Sequence, residues 1–112
     1  MGAFTGKTVL ILGGSRGIGA AIVRRFVTDG ANVRFAYERL AQETGATAVF
    51  TDSADRDAVI DVVRKSGALD ILVVNAGIGV FGDALELNAD DIDRLFKINI
   101  HAPYHASVEA AR

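Results

Sequence analysis

The chain has 112 residues, of which 50% are hydrophobic, with one proline, no cysteine and a formal net charge of −2. That length holds one domain with a real core, and the hydrophobic share argues against disorder. The near-balanced charge, without any Lys/Arg run, leaves no electrostatic footprint for a nucleic-acid polymer or an anionic membrane, and the absence of cysteine excludes a disulfide scaffold and thiol catalysis. The amino terminus carries no charged-then-apolar signal pattern and no apolar run approaches a membrane span, which together point to a cytoplasmic protein.

In chain order, residues Lys7 to about Leu12 read as a first strand, whose uninterrupted apolar run Val9 to Leu12 implies burial on both faces. A glycine-rich turn follows, and a helix beginning near Gly17 places Ile18, Ala21, Ile22 and Phe26 on one stripe, with Arg24, Arg25 and Asp29 outside it. Gly30 fits a left-handed cap at its end. Asn32 to Tyr37 is a second strand with Val33, Phe35 and Tyr37 at alternate positions, followed by about two helical turns over residues 38 to 45. Ala46 to Phe50 is the third strand. Ser53 is then expected to cap a helix running through Ser66, with Asp55 and Asp57 in its first turn and Val59, Ile60, Val62 and Val63 as its buried stripe. Ala68 to Val74 reads as a fourth, fully buried strand. After a loop through Gly82, Asn88 and Asp91 resemble a capping box, and the last helix carries Ile92, Leu95, Phe96 and Asn99. Pro103 is expected to kink that helix or begin a new segment. Strands alternating with helices predict an α/β fold, a doubly wound parallel sheet, in a chain with no internal repeat and no linker.

The first turn is where chemistry enters. Gly13, Gly17 and Gly19 are spaced G-x-x-x-G-x-G, which differs from the G-x-G-x-x-G fingerprint of dinucleotide sites. The mechanics are the same: Gly13 permits the turn, Gly17 lets backbone approach a pyrophosphate, and Gly19 lets helix pack closely on strand. Free N–H groups at the helix start and the helix dipole favour an anion there, and Arg16 adds a planar cation. The plain alternative is a β-to-α turn that binds nothing.

Leu12-Gly13-Gly14-Ser15-Arg16-Gly17-Ile18-Gly19 resembles the cofactor turn of the short-chain dehydrogenase/reductase family, usually T-G-x-x-x-G-I-G, with Leu12 in place of Thr. Val74-Asn75-Ala76-Gly77 is similar to that family's N-N-A-G segment with Val74 replacing the first Asn, and Lys97-Ile98-Asn99-Ile100 is similar to its helical Asn position. The three motifs occur in family order across nearly the whole chain. The resemblance implies a Rossmann-type sheet in the order 3-2-1-4, representing the N-terminal part of the family's dinucleotide-binding domain. Relative to the family, the second crossover is about eight residues short, where a parallel connection normally needs about a dozen.

The resemblance also implies a cofactor site. Ligands in such sheets bind beyond the carboxyl ends of the strands where strand order reverses. By resemblance, the Gly13, Ser15, Arg16, Gly17, Ile18 and Gly19 turn holds the diphosphate. Asp52, with Ser53 beside it, accepts from the adenine amino group, Asn75, Ala76 and Gly77 line the adenosine ribose, and Ile78 approaches the nicotinamide side. Helix capping is the structural alternative for Asp52, and a turn tolerant of left-handed dihedrals is the alternative for Asn75 to Gly77. Ala36 and Tyr37 stand at the position that selects between NAD and NADP, and neither is acidic. Arg16, helped by Arg39, favours NADP(H), while Glu38 argues for NAD.

Asn99 resembles the first member of the family's Asn-Ser-Tyr-Lys set, where it holds a water in a proton relay; a purely structural hydrogen bonder to strand four is the alternative. No Tyr is followed four residues later by Lys: Tyr37 leads to Ala41 and Tyr104 to Val108. General acid–base chemistry of that type therefore has no residue to carry it, and this chain alone is expected not to turn over a carbonyl substrate. His101 and His105 are four apart, but without a third ligand they read as a solvated pair, and no metal site is expected.

The expected function is the NADP(H)-binding portion of an alcohol/carbonyl oxidoreductase. The alternatives are a non-catalytic module that binds or sequesters cyclic-di-GMP, and a trimmed, engineered chain, which the short crossover and the end at Arg112 favour. A fourth strand without an outer neighbour would expose an apolar edge, and the family builds subunit interfaces from the last helix. Both features imply a homo-oligomer.

Overall fold

A computed structural model describes residues 2–13, 17–37 and 46–112. Ser15, Arg16 and the helix expected over 38–45, with Glu38 and Arg39, lie outside the described residues. Four strands, β1 (Thr8–Leu12), β2 (Asn32–Tyr37), β3 (Thr47–Phe50) and β4 (Ile71–Val74), form one parallel sheet in the order β3-β2-β1-β4. The helices are α1 (Gly17–Thr28), α2 (Arg56–Lys65), α3 (Ala89–Phe96) and α4 (Ala102–Ala111), with a π-helical turn at Lys97–His101 joining the last two. This is the Rossmann-type arrangement expected from the sequence.

Strand β1 is central because it is apolar on both faces. Val9, Leu10, Ile11 and Leu12 are at most 1% exposed, paired with β2 on one side and β4 on the other. Successive residues point to opposite faces of the sheet. Val9 and Ile11 join Val23 of α1 with Val33 and Phe35, whereas Leu10 and Leu12 join Val59, Val62 and Val63 of α2 and Ala102 and Ala106 of α4. Fully burying each such side chain is worth about 1.5–3 kcal/mol, so β1 anchors both halves of the core.

The structure corrects several expectations. The buried stripe of α1 is Gly19, Ala20 and Val23, while Ile18 is 73% exposed. A Cβ on Gly19 would overlap the Gly13 carbonyl oxygen, so this glycine must face the sheet, and that contact sets the rotation of the helix. The cap of α2 is Asp55, whose carboxylate accepts from the N–H groups of Asp57 at 3.0 Å and Ala58 at 3.2 Å. Ser53 does not cap it. Asp52 first makes a turn, accepting from Ala54 N–H at its side chain and from Asp55 N–H at its carbonyl, and this delays the helix while burying Ser53. Strand β4 is shorter than the Ala68 to Val74 run and only half-buried, because in the described sheet it pairs on one side alone.

Asn88 caps α3 by accepting from Asp90 N–H at 2.7 Å, without the return bond from Asp91 that a capping box requires. Pro103 begins α4 as expected. Its ring has no N–H and would crowd the carbonyl four residues back, at Asn99. The backbone answers by widening: Ala102 N–H donates to Lys97 O, five residues earlier.

Candidate functional site

The carboxyl ends of β1 and β4 meet where strand order reverses. Gly13 leaves β1 at φ +83°, donating its N–H to Ala36 O at 3.0 Å. A Cβ there would lie 2.7 Å from Ala76 N and 2.8 Å from Ala76 Cα. The two turns therefore pack backbone against backbone. Leu12 O accepts from both Asn75 N–H at 2.9 Å and Ala76 N–H at 3.0 Å, and Asn75 Nδ2 donates to Gly13 O at 3.2 Å. Asn75 thus locks the second turn onto the first, a tie between residues 62 apart that local turn chemistry does not predict.

Gly17 opens α1 at φ +59°, and a Cβ there would meet nothing within 4 Å. Among the described residues nothing covers the Gly17 backbone, and the first turn of this helix holds no acidic side chain. Exposed Ile18 stands beside it. Ala36 is 1% exposed and forms part of the sheet floor, and Tyr37 closes β2, its carbonyl accepting from Thr51 N–H at 2.8 Å.

Asp52 follows β3 on the same edge and is paired with Arg94 of α3, Nη1 to Oδ1, at 3.4 Å. The sequence offered no local sign of Arg94, which lies 42 residues away. Ser53 is buried and borders a cavity of about 390 Å³ shared with Lys97, His101 and His105. Among the described residues, no group of three His, Cys, Asp or Glu side chains is placed to hold a metal.

Asn99 lies in the π-helical turn and uses both ends of its carboxamide on one residue. Oδ1 accepts from Ile78 N–H at 2.9 Å and Nδ2 donates to Ile78 O at 2.7 Å. Of the two roles weighed for Asn99, the tie to the segment after β4 is the one the geometry displays. Gly77 sits against it, 3.5 Å separating a Cβ there from Asn99 Oδ1. Gly13, Gly19, Asn75 and Ala76 meet at one junction, Gly77 and Ile78 are tied to Asn99 beside it, Gly17 and Ile18 begin the adjoining helix, and Ala36, Tyr37 and Asp52 lie at the ends of the neighbouring strands.

A model of the short-chain dehydrogenase family matches residues 7–112. The chain belongs to that family. A curated relative from Escherichia coli K12, the cyclic-di-GMP-binding biofilm dispersal mediator protein, is 92% identical over 119 aligned residues, covering 100% of this chain and 50% of the relative. The oxidoreductase UcpA of Salmonella typhimurium is 38% identical, covering 96% of this chain and 46% of its own. Among solved structures, BdcA of E. coli in complex with NADPH superposes with a TM-score of 0.93 at 92% identity, covering 99% of this chain and 48% of that one. A short-chain dehydrogenase from Burkholderia cenocepacia J2315 in complex with NADP gives 0.91 at 42% identity, covering 97% and 51%.

The chain spans about half the length of the curated relatives it matches. The 119 aligned residues of the E. coli relative exceed this chain's 112 by seven, so at least seven positions there have no counterpart here. Among the described residues of this short-chain dehydrogenase chain, no helix is long and apolar enough to cross a membrane.

Proposed function

We propose that this chain is the nucleotide-holding part of an alcohol/carbonyl oxidoreductase and takes NADP(H). The observation that carries the reading is the junction of Gly13, Gly19 and Asn75 beneath an open, acid-free start of α1 at Gly17. A Cβ at either packed glycine would force the two turns apart, and the glycine at position 17 would leave backbone N–H groups available to a diphosphate. The residues fit the group. Gly13, Ser15, Gly17, Ile18 and Gly19 would hold the diphosphate. Arg16 would meet the 2′-phosphate beside Ala36 and Tyr37, and Asp52 with Ser53 would receive the adenine. Asn75, Ala76 and Gly77 would line the ribose, and Ile78, held by Asn99, would border the nicotinamide side. The relatives crystallised with NADPH and NADP support this choice of cofactor.

Bound nicotinamide dinucleotide supplies a transferable hydride. This chain's own residues bind and orient it; without a Tyr-x-x-x-Lys, none is placed to move the substrate proton. Fluorescence titration with NADPH and NADH tests the reading, NADPH binding more tightly and the 112-residue chain failing to oxidise it with carbonyl substrates. Tighter NADH binding overturns the choice of cofactor, and steady NADPH oxidation overturns the division of labour.

A second ligand is favoured by the name of the 92% identical relative, cyclic-di-GMP. Both ligands bring phosphates to the same turn, so competition separates them. Displacement of bound NADPH by cyclic-di-GMP places them at one site, and resistance to it removes cyclic-di-GMP from this site. Self-association is supported by the unpaired outer side of β4 in the described sheet and by exposed Phe96, Ile100, Tyr104 and Val108, spaced every four residues along the last helices. A monomeric sedimentation profile refutes it.

A further inference from the structure

We infer that Arg94 is a positioning residue that orients the Asp52 carboxylate for recognition of the nucleotide's base, an inference that rests on the dinucleotide reading above. Asp52 follows β3, and its Oδ1 accepts from two directions, from Ala54 N–H at 2.9 Å and from Arg94 Nη1 at 3.4 Å. The first bond is local. It closes a turn two residues long and ties the carboxylate to its own loop. The second comes from α3, a different element, and gives the carboxylate a reference outside that loop.

The exposures decide what this pair is for. The Arg94 and Asp52 side chains are 41% and 43% exposed, and an ion pair so open to water adds little to folding stability. Orientation of a group that a ligand can still reach is the role left. An ionised carboxylate only accepts hydrogen bonds, so it suits an exocyclic amino group such as that of adenine and repels a carbonyl oxygen in the same place. The guanidinium stays charged at all working pH values and brings a donor to the carboxylate from outside its own loop. Arg94 also lies five residues before Asn99 on the same helical run, whose carboxamide brackets Ile78. Through these two side chains one helical run steadies both ends of the proposed site.

The test compares NADPH with nicotinamide hypoxanthine dinucleotide phosphate, in which a carbonyl replaces the amino group, on the full 112-residue chain. The native chain is expected to prefer NADPH by about tenfold, the range of one hydrogen bond to a charged group. Arg94→Ala lowers that preference below about twofold, Arg94→Lys restores most of it, and Asp52→Ala removes it, since a single charge-assisted contact is what discriminates. The denaturation midpoint of Arg94→Ala stays near the native value, so a ratio that falls without a shift in stability reports positioning. An unchanged preference in Arg94→Ala overturns the inference and leaves the dinucleotide site standing, and so does a native chain that binds both dinucleotides equally. A native chain that binds no NADPH overturns both.

Discussion

The amino-terminal ends of α1 and α2 face the same physical problem with very different residues in their first turns. Each helix begins with backbone N–H groups that have no partner inside the helix, and each carries the positive end of the helix dipole. At α2 the chain answers internally. The Asp55 carboxylate accepts from two of those N–H groups, and Asp57 adds negative charge in the first turn. At α1 the first turn holds no acid, its leading residue is a glycine at φ +59° whose added Cβ would meet none of the described residues, and Gly19, two residues on, is wedged against the β1 turn. Helix α3 follows α2, with Asn88 as cap and Asp90 and Asp91 behind it. An end that satisfies itself is a structural terminus, whereas the acid-free glycine end of α1 is where the proposed function puts the diphosphate.

The comparison can be broken at Gly19 first. Gly19→Ala drives a Cβ into the Gly13 carbonyl, and because the obstacle is backbone, the helix must lift from the sheet. We expect a loss of about 3 kcal/mol in urea unfolding together with loss of NADPH binding. Gly17→Ala meets no atom but must hold a left-handed conformation, which costs about 1 kcal/mol. Its larger effect is on the ligand, since a methyl group over the approach path weakens NADPH about tenfold or more by titration. Asp55→Ala sharpens the contrast: loss of the cap costs about 1 kcal/mol and changes NADPH affinity by less than about twofold. The smallest effect lies at the far end of α1, where Arg25 pairs with Asp29 at 2.9 Å but is 79% exposed. Arg25→Ala is expected to shift stability by only about 0.3 kcal/mol, with binding unchanged.

Much of this was legible in the residues. Binary pattern located β1, β2 and α2 within a residue or two, because a strand buried on both faces and a helix with one valine stripe leave strong periodic signals. The glycine spacing marked the α1 turn, and Asn75 to Gly77 marked its neighbour. Failures occurred where a distant contact outweighed a local preference. Ile18 looks like core on a helical wheel, yet Gly19 claims the face toward the sheet. Ser53 is a good cap by type, yet the Asp52 turn draws it inside and hands the role to Asp55. Ala68 to Val74 is apolar enough for a central strand, but the lack of a second neighbour in the described sheet leaves β4 half-buried.

The family came from the resemblance of three motifs, while from composition and order of residues alone came the alternation of strands and helices and the turn at which a phosphate is expected. These depend on periodicity and on glycine, properties that a residue carries into any context. Folding in three dimensions assigned partners: Asn75 to the Gly13 carbonyl, both ends of Asn99 to Ile78, and Arg94 to Asp52. Such contacts join residues 62, 21 and 42 positions apart, and a hydrogen bond is decided by distance and angle in space, which no local pattern encodes.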